Sequence, residues 1–194
     1  MKLLATALLL LGISPAFADA PPPYLPTRDV VVSYQVATPG RPPVNYQLAY
    51  DAGSQQARID DPAHGNYFLV NLPAGSAQMV APAFHAIVAA PDLSALTGQL
   101  NSLNQARFTP LGPGEYAGLA CQKYLILSDQ GSGTACLTPD GVTLHFSGHN
   151  ARGTAEVTAM NVAYQHNESA TFAIPPGYSK IMLPPGALAQ LLGQ

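Results

Sequence analysis

The sequence contains no tryptophan and carries little charge, since Asp, Glu, Lys and Arg together make up 10% of its 194 residues. Eight basic residues stand against eleven acidic ones, so the net charge is -3. A nucleic-acid-binding protein would show an excess of basic residues, and this class is therefore excluded. Because 47% of the residues are hydrophobic, the chain is also too apolar to be a disordered acidic protein.

Long apolar runs are lacking as well, and a transmembrane helix needs about 20 apolar residues. The N-terminal run from Leu3 to Leu11 has nine residues; it follows Met1-Lys2 and precedes Ala16-Phe17-Ala18. This layout predicts a signal peptide over residues 1–18, cleaved after Ala18, with an ordinary N-terminal core helix as the alternative. No cysteine lies near the cleavage site to carry a lipid. We therefore expect a periplasmic protein that is not membrane-anchored.

Only two cysteines are present, Cys121 and Cys136. An even number of cysteines in an exported chain predicts one disulfide. Two cysteines alone would make a poor zinc site, so we expect no metal there. Closing a loop of this size stabilises the fold by about 3 kcal/mol on the chain-entropy account.

Nineteen prolines and seventeen glycines divide the chain into short segments. Residues 19–27 form a Pro-rich N-terminal segment, residues 28–183 a single domain, and residues 184–194 a C-terminal tail. From Val44 to Asp51 apolar and polar residues alternate, which is typical of a half-buried antiparallel strand. Comparable runs predict about nine or ten strands, among them 107–111, 116–127 and 170–174, with a tight turn at Pro139-Asp140-Gly141. No internal repeat of fixed period is visible in the residues.

One helix is predicted midway through the chain. Leu93, Leu96, Leu100 and Leu103 recur with helical spacing after a capping residue, Asp92, which predicts an amphipathic helix over residues 92–105. Many strands and one helix without a βαβ rhythm favour a mainly β fold. The expected architecture is a strongly curved antiparallel sheet with the helix against its concave face.

The register around the two cysteines can also be predicted. A direct pair of Cys121 with Cys136 needs a hairpin centred between Ser128 and Asp129, whereas the turn-forming residues are centred near Gln130 and Gly131. We therefore expect a bridge that is diagonal or displaced by a bulge.

Three segments in the second half of the chain carry a family resemblance: Ala117 to Cys121 (AGLAC), Cys136 to Gly141 (CLTPDG) and Phe172 to Tyr178 (FAIPPGY). Together they resemble an uncharacterised family of secreted bacterial proteins that is similar to the LolA/LolB lipoprotein-carrier superfamily. The match covers about 60 residues. It implies a half-open β-barrel lidded by a helix, whose cavity shelters acyl chains in the carriers. It carries over no ligand-contacting residue.

Nine tyrosines and six phenylalanines supply candidates for such a cavity. Tyrosine can line a cavity with its ring while its hydroxyl reaches water. The candidate ligand-binding residues are Tyr34, Tyr46 and Tyr50 on predicted strands, Phe84 before the helix, and Leu96 and Leu100 on it. The alternative is that these residues form an ordinary packed core.

Catalytic and metal-binding motifs are few. No Gly-x-Ser-x-Gly nucleophile elbow occurs, and the one adjacent acidic pair, Asp60-Asp61, precedes Pro62 in a turn-like stretch. His145 and His149 would lie about 13 Å apart on one strand face. The triplet from Asn167 to Ser169 fits the N-glycosylation pattern. We therefore expect neither an enzyme nor a cofactor.

Two functions of different classes follow. The first is a soluble periplasmic protein that binds a hydrophobic ligand, such as the acyl chain of a lipid or lipoprotein, between sheet and helix. The second is an interaction module for another envelope protein, with an ordinary core and no ligand. Tight packing of the helical leucines on the sheet, without a void, would favour the second.

Overall fold

The computed structural model describes residues 21–89, 93, 97, 98, 100, 103–150 and 153–184. Twelve β-strands form one sheet in this part of the chain. They are β1 (Val30–Ala37), β2 (Val44–Asp51), β3 (Gln56–Asp61), β4 (Asn66–Asn71), β5 (Ser76–Ala81), β6 (Ala86–Ala89), β7 (Arg107–Tyr116), β8 (Leu119–Ser128), β9 (Gly131–Leu137), β10 (Thr143–Asn150), β11 (Gly153–Ala163) and β12 (Ser179–Met182). Short 3-10 turns cover Pro82–Phe84, Leu103–Gln105 and Ser169–Phe172.

The strand order across the sheet is β12-β6-β5-β4-β3-β2-β1-β11-β10-β9-β8-β7. Strands β1 to β6 form one antiparallel meander and β7 to β11 a second, and the two join where β1 pairs with β11. At one edge of the sheet β12 pairs in parallel with β6. The expected mainly β, antiparallel architecture is confirmed, with this one parallel pair as an addition.

The first meander is built on a structural repeat of ten residues. Its hairpin turns begin at Asp51, Asp61 and Asn71, and in each turn the side-chain oxygen of that residue accepts a backbone hydrogen bond at 2.8–3.1 Å. Each turn ends in a residue with positive φ, namely Gln55 (52°), Gly65 (66°) and Gly75 (59°). The expectation that the chain has no repeat of fixed period is therefore wrong at the level of structure.

Several predicted elements differ from the observed ones. Residues 107–111 are the start of a ten-residue strand that includes Pro110 and Pro113. The predicted strand at residues 170–174 is instead the 3-10 turn Ser169–Phe172, in which Phe172 is buried. Strand β12 was not predicted. The predicted turn at Pro139 is confirmed, because the Gly141 N–H donates to the Thr138 carbonyl at 3.0 Å.

The predicted helix is described only in part. Leu93, Thr97, Gly98 and Leu100 have α-helical backbone. The other positions between 90 and 102, Leu96 among them, lie outside the described residues, so the amphipathic helix stays a prediction. The predicted signal peptide also lies outside them. In the described part of the chain, no helix is long and apolar enough to cross a membrane.

The segment between β6 and β7 contacts strands in both halves of the sheet. Leu93 packs against Met79 and Val88 on β5 and β6. Leu103 packs against the cluster that includes Ile126 on β8 and Ala135 on β9. These contacts fix both leucines to the same face of the sheet.

At each end of the domain, a buried or half-buried polar side chain fixes the chain by hydrogen bonds. At the N-terminal end, the Asp140 carboxylate accepts hydrogen bonds from Arg28 Nε at 2.6 Å, from the Tyr164 hydroxyl at 3.1 Å and from the Thr138 hydroxyl. Burial acts to raise the pKa of Asp140, but these hydrogen bonds outweigh it and the pKa is lowered. The turn lies so close to the N-terminal segment that a Cβ on Gly141 would come within 2.2 Å of the Leu25 carbonyl oxygen.

At the C-terminal end, Asn167 is 5% exposed and its amide Nδ2 donates to the carbonyls of Tyr50 (2.8 Å) and Val30 (3.3 Å). Asp29 accepts the Asn167 backbone N–H at 3.2 Å and the Ala52 N–H at 3.0 Å. The segment after β11 is thereby fixed to the ends of β1 and β2. An amide held in this way is not accessible for glycosylation, so the triplet that begins at Asn167 is structural.

Candidate functional site

Residues that lie directly opposite one another across the sheet form two long apolar rows on one of its faces. The first row crosses eight strands from β11 to β12, and each member pairs in register with the next. Its members are Val162, Val32, Leu48, Ile59, Phe68, Met79, Val88 and Ile181. Burial along this row is uneven, since Val32 is fully buried and Ile181 is 45% exposed at the sheet edge.

The second apolar row crosses six strands from β2 to β8. It consists of Val44, Val36, Val157, Phe146, Ala135 and Tyr124. Ala135, Phe146 and Tyr124 pack in a cluster with Leu103 and Phe108. Val36, Val44 and Val157 are half-buried, and no core cluster of the described residues includes them. This end of the row is therefore an apolar wall that the described chain leaves partly uncovered.

The three predicted tyrosines lie on the same face but have different environments. Tyr34 and Tyr46 are directly opposite each other on β1 and β2, and Tyr50 is opposite Val30. Tyr50 is 3% exposed and belongs to the main core cluster. Tyr34 packs against that cluster, and its hydroxyl donates to the Thr143 carbonyl at 2.8 Å. Tyr46 is half-buried and adjoins the uncovered wall, so of the three it is the best placed to contact a ligand.

Burial changes the ionisation of these phenols. It raises the pKa of Tyr34, because the charged form would be deprived of water. Burial also raises the pKa of Tyr46, and the nearby Asp61 carboxylate adds to this effect. The pKa of Tyr50 is raised in the same way, by burial first and then by the Asp51 carboxylate. The three hydroxyls therefore stay neutral at physiological pH.

The structure describes the remaining candidates to different extents. Phe84 lies in the turn between β5 and β6 and is 80% exposed. Leu100 is 36% exposed, and Leu96 is outside the described residues. Leu93, by contrast, is 3% exposed and packs against Ala77, Met79 and Val88. The segment that carries these leucines is thus docked on the sheet at Leu93 and less enclosed at Leu100.

One polar pair near the wall was missed by the sequence analysis. Asp61 is 4% exposed on the same face as the two apolar rows, next to Tyr46, and its Oδ2 lies 2.7 Å from His64 Nδ1. Its other carboxylate oxygen accepts the Ala63 N–H at 3.1 Å. The signal was present in the sequence, because an Asp before Pro-x-His-Gly is typical of a turn in which the carboxylate bonds to its own loop.

The predicted disulfide is present and diagonal, as expected, although the hairpin is centred between Asp129 and Gln130, about one residue before the predicted centre. Cys121 and Cys136 are bonded with a Cα–Cα distance of 5.4 Å. Cys136 lies opposite Lys123 rather than Cys121, so the bridge is diagonal. His145 lies opposite Cys136 on the other side, and its ring stacks on the Tyr116 ring at 4.6 Å. Its Nε2 is 2.9 Å from a Glu156 carboxylate oxygen. Among the described residues, no three His, Cys, Asp or Glu side chains gather into a possible metal site.

An open surface depression of about 460 Å³ adjoins the second apolar row at Tyr124. The N-terminal segment forms one side of it with Pro22 and Pro23. Strands β8 and β9 form the other side with mostly apolar groups, among them Ala120 and Leu137. Small-molecule sites commonly have volumes of about 300–1,000 Å³. The size and lining of this depression are therefore compatible with a short apolar segment of a ligand.

Comparisons with known proteins show the fold. No family model matches the sequence, and a search of curated proteins returned no match. An uncharacterised conserved protein from Thermus thermophilus is similar in structure, with a TM-score of 0.56, 11% identity, and coverage of 81% of this chain and 91% of that one. MucB of Pseudomonas aeruginosa, solved in complex with MucA, is similar with a TM-score of 0.52 and 11% identity.

The match to MucB covers 76% of this chain and 56% of MucB, so this chain spans little more than half the length of that protein. A LolA superfamily protein from Nitrosomonas europaea also aligns, over 78% of this chain and 93% of that one, with a TM-score of 0.40 and 10% identity. The fold is therefore shared with MucB and with the Thermus thermophilus protein, and it is mainly β, as the motifs around the two cysteines imply.

Proposed function

We propose that this protein is exported to the periplasm and binds a hydrophobic ligand, an acyl chain of a lipid or lipoprotein, on the concave face of the sheet. In this proposal the sheet is a half-barrel, and the segment over residues 92–105 is an amphipathic helix that covers its mouth. The disulfide and the resemblance of the cysteine motifs to secreted bacterial proteins support an envelope location. The protein acts by binding and not by catalysis.

The observation that carries the proposal is the uncovered end of the second apolar row. Val36, Val44 and Val157 lie side by side on three adjacent strands, half-buried, with Tyr46 next to them. A contiguous apolar surface on a concave face is typical of a ligand-binding groove. Burying the ligand there removes apolar area from water, at about 25 cal/mol per Å² or 0.8 kcal/mol for each CH2 group.

The ligand would lie along the second row, from Val44 towards Tyr124 and the depression beside it. All side chains of this row are uncharged, and the neighbouring phenols of Tyr34 and Tyr46 stay neutral because their pKa values are raised. A ligand with an apolar chain and a small polar end fits such a path.

Isothermal titration with palmitate below its micelle concentration tests this proposal. The mature protein should bind it saturably, and Val36→Asp should weaken binding at least tenfold because a charge would then face the chain. Gln35→Asp is the matched control, since Gln35 is the neighbouring half-buried residue on the opposite face of β1. Equal binding by Val36→Asp and Gln35→Asp would rule out this site.

A second candidate function is the binding of a partner protein in the envelope. It is favoured by the first apolar row, which runs to the edge of the sheet and ends there at the exposed Ile181. The structural similarity to MucB, solved in complex with MucA, supports a protein partner. The two functions use different rows on the same face of the sheet, so both can hold in one protein.

A further inference from the structure

The edge strand β12 is exposed along its whole length and, unlike the opposite edge, has no feature that would prevent pairing with another strand. All four residues of Ser179–Met182 are exposed. Within the part of the chain that the structure describes, β12 pairs with β6 on one side and with no strand on the other. The free side thus presents backbone groups that another strand could pair with.

Backbone geometry shows which residues face outwards. The Ser179 N–H donates to the His85 carbonyl and the Leu183 N–H donates to the Ala89 carbonyl, both at 2.9 Å. In a parallel ladder every second residue bonds to the neighbouring strand. The N–H and C=O groups of Lys180 and Met182 therefore point away from β6, to the free edge.

The opposite edge of the sheet is protected. Strand β7 contains Pro110 and Pro113, which have no N–H to offer, and its register is broken by a bulge next to Gly112, where φ is 115°. Proline and bulges on an edge strand prevent pairing with another chain. Strand β12 contains neither proline nor glycine, so of these two edges it is the one suited to accept a strand.

The side chains of β12 indicate which kind of strand could pair with it. The first apolar row reaches its end at Ile181, which is 45% exposed, so a further apolar residue placed beside Ile181 would continue the row. On the other face, Lys180 is the charged group of this strand, and Met182 is 75% exposed. Residues 169–184 contain no Asp or Glu. An incoming strand would meet positive charge on one face and apolar surface on the other.

We propose that β12 accepts an extended segment of a partner protein as a thirteenth strand, with apolar residues alternating with acidic ones. The apolar residues would continue the first apolar row beyond Ile181, and an acidic residue would pair with Lys180. Main-chain hydrogen bonds to Lys180 and Met182 would supply affinity, and the alternating side chains would supply specificity. This inference rests on the second candidate function and names the surface that serves it.

The test uses a synthetic peptide, acetyl-Thr-Val-Glu-Val-Glu-Val-Thr-amide, and the complete mature protein. Hydrogen exchange followed by mass spectrometry or NMR should show fast exchange of the Met182 amide in the free protein and slow exchange when the peptide is bound. Protection of Met182 without peptide would mean that the edge is already occupied by the protein's own residues, and would overturn the proposal.

Three variants complete the experiment. Met182→Pro removes an outward donor and Lys180→Glu reverses the edge charge, and each should weaken peptide binding at least tenfold. Ser179→Thr alters the same strand at a residue whose N–H faces β6, and should bind the peptide as the wild type does. Since Lys180 is exposed, Lys180→Glu tests the proposal even if Met182→Pro perturbs folding.

The outcomes distinguish strand pairing at β12 from peptide binding elsewhere on the protein. If the wild type binds the peptide and both Met182→Pro and Lys180→Glu bind it equally well, the edge proposal fails while peptide binding by the protein stands. If the wild type does not bind the peptide at all, the edge proposal fails outright. Palmitate binding, measured on the same preparations, reports on the concave face independently.

Discussion

Asn167 and Tyr50 are joined by a hydrogen bond of 2.8 Å from the amide Nδ2 to the backbone carbonyl, although the two residues are 117 positions apart. The same amide also donates to the Val30 carbonyl. One buried side chain therefore satisfies two strand-end carbonyls and fixes the segment that leads from β11 to β12. The fold of the C-terminal segment depends on this contact.

We expect Asn167→Ala to lower the free energy of unfolding by about 2–4 kcal/mol, because two buried carbonyls lose their donor. Urea unfolding at neutral pH measures the effect. Asn161→Ala is the control, since Asn161 is exposed on β11 and its removal should change stability by less than about 0.5 kcal/mol. Similar losses in the two variants would show that the Asn167 contacts are not structurally important.

Acid should destabilise the protein through Asp29. Its pKa lies below the usual 3.8 because the backbone N–H groups of Ala52 and Asn167 bond to the carboxylate, with a smaller effect of His166. A lowered pKa contributes stability that is present above the unfolded pKa and lost as the pH falls through the folded pKa. Stability should therefore fall as the pH drops below 3.8.

In Asp29→Asn the carboxylate is absent, so the acid-dependent loss should be smaller and stability at pH 7 lower by about 1–2 kcal/mol. Urea unfolding at a series of pH values measures both effects. Asp129→Asn, in the exposed turn between β8 and β9, should leave the pH dependence as it is in the wild type. An Asp29→Asn profile parallel to the wild-type profile would contradict this role of Asp29.

The ten-residue repeat predicts opposite effects of two exchanges at equivalent positions. Gln55 has a φ of 52°, whereas the equivalent residue of the third turn is Gly75 with a φ of 59°. A left-handed conformation costs a residue with a side chain about 1–2 kcal/mol. Gln55→Gly should therefore stabilise the protein by up to about 1 kcal/mol, and Gly75→Gln should destabilise it by about as much. Thermal unfolding of the two variants measures the change in stability of each. A change of the same sign in both would show that the turns are not equivalent.

The diagonal disulfide should contribute to stability. Replacing both Cys121 and Cys136 by Ala should lower the free energy of unfolding by about 3 kcal/mol. Dithiothreitol should lower the melting temperature of the wild type to a similar degree and leave the double variant unchanged. If the reductant destabilises the double variant as well, its effect does not come from this bond.

The structural features that could be predicted were those that depend on neighbouring residues in the sequence. The alternation from Val44 to Asp51 gave β2, and Pro139-Asp140-Gly141 gave the turn before β10, because both depend on neighbouring residues. The spacing of the turn residues between β8 and β9 gave the diagonal bridge. Each of these signals lies within a short stretch of the chain.

Features set by distant contacts were missed. Pro110 and Pro113 read as strand breakers, yet they are tolerated because β7 is an edge strand. The run at 170–174 looks like a strand, but Phe172 turns inwards and is buried. β12 has four exposed residues and no alternation of burial, so it follows only from its pairing with β6.

Only part of the candidate site could be predicted, because the rest of it depends on pairing between distant strands. Tyr46 was identified because strand alternation places it on the apolar face. The wall formed by Val36, Val44 and Val157 comes from three strands whose register cannot be read from any one of them. Leu96 lies outside the described residues, so its assignment to the ligand-binding site stays a prediction.

Native mass spectrometry of the mature protein shows whether the concave face holds a hydrophobic ligand. The protein is purified from periplasm without detergent and its mass is compared with that of the polypeptide. We expect a stoichiometric adduct of lipid mass that is lost in Val36→Asp and retained in Gln35→Asp. A clean polypeptide mass, with no uptake of added fatty acid or phospholipid, would mean that this face binds no such ligand.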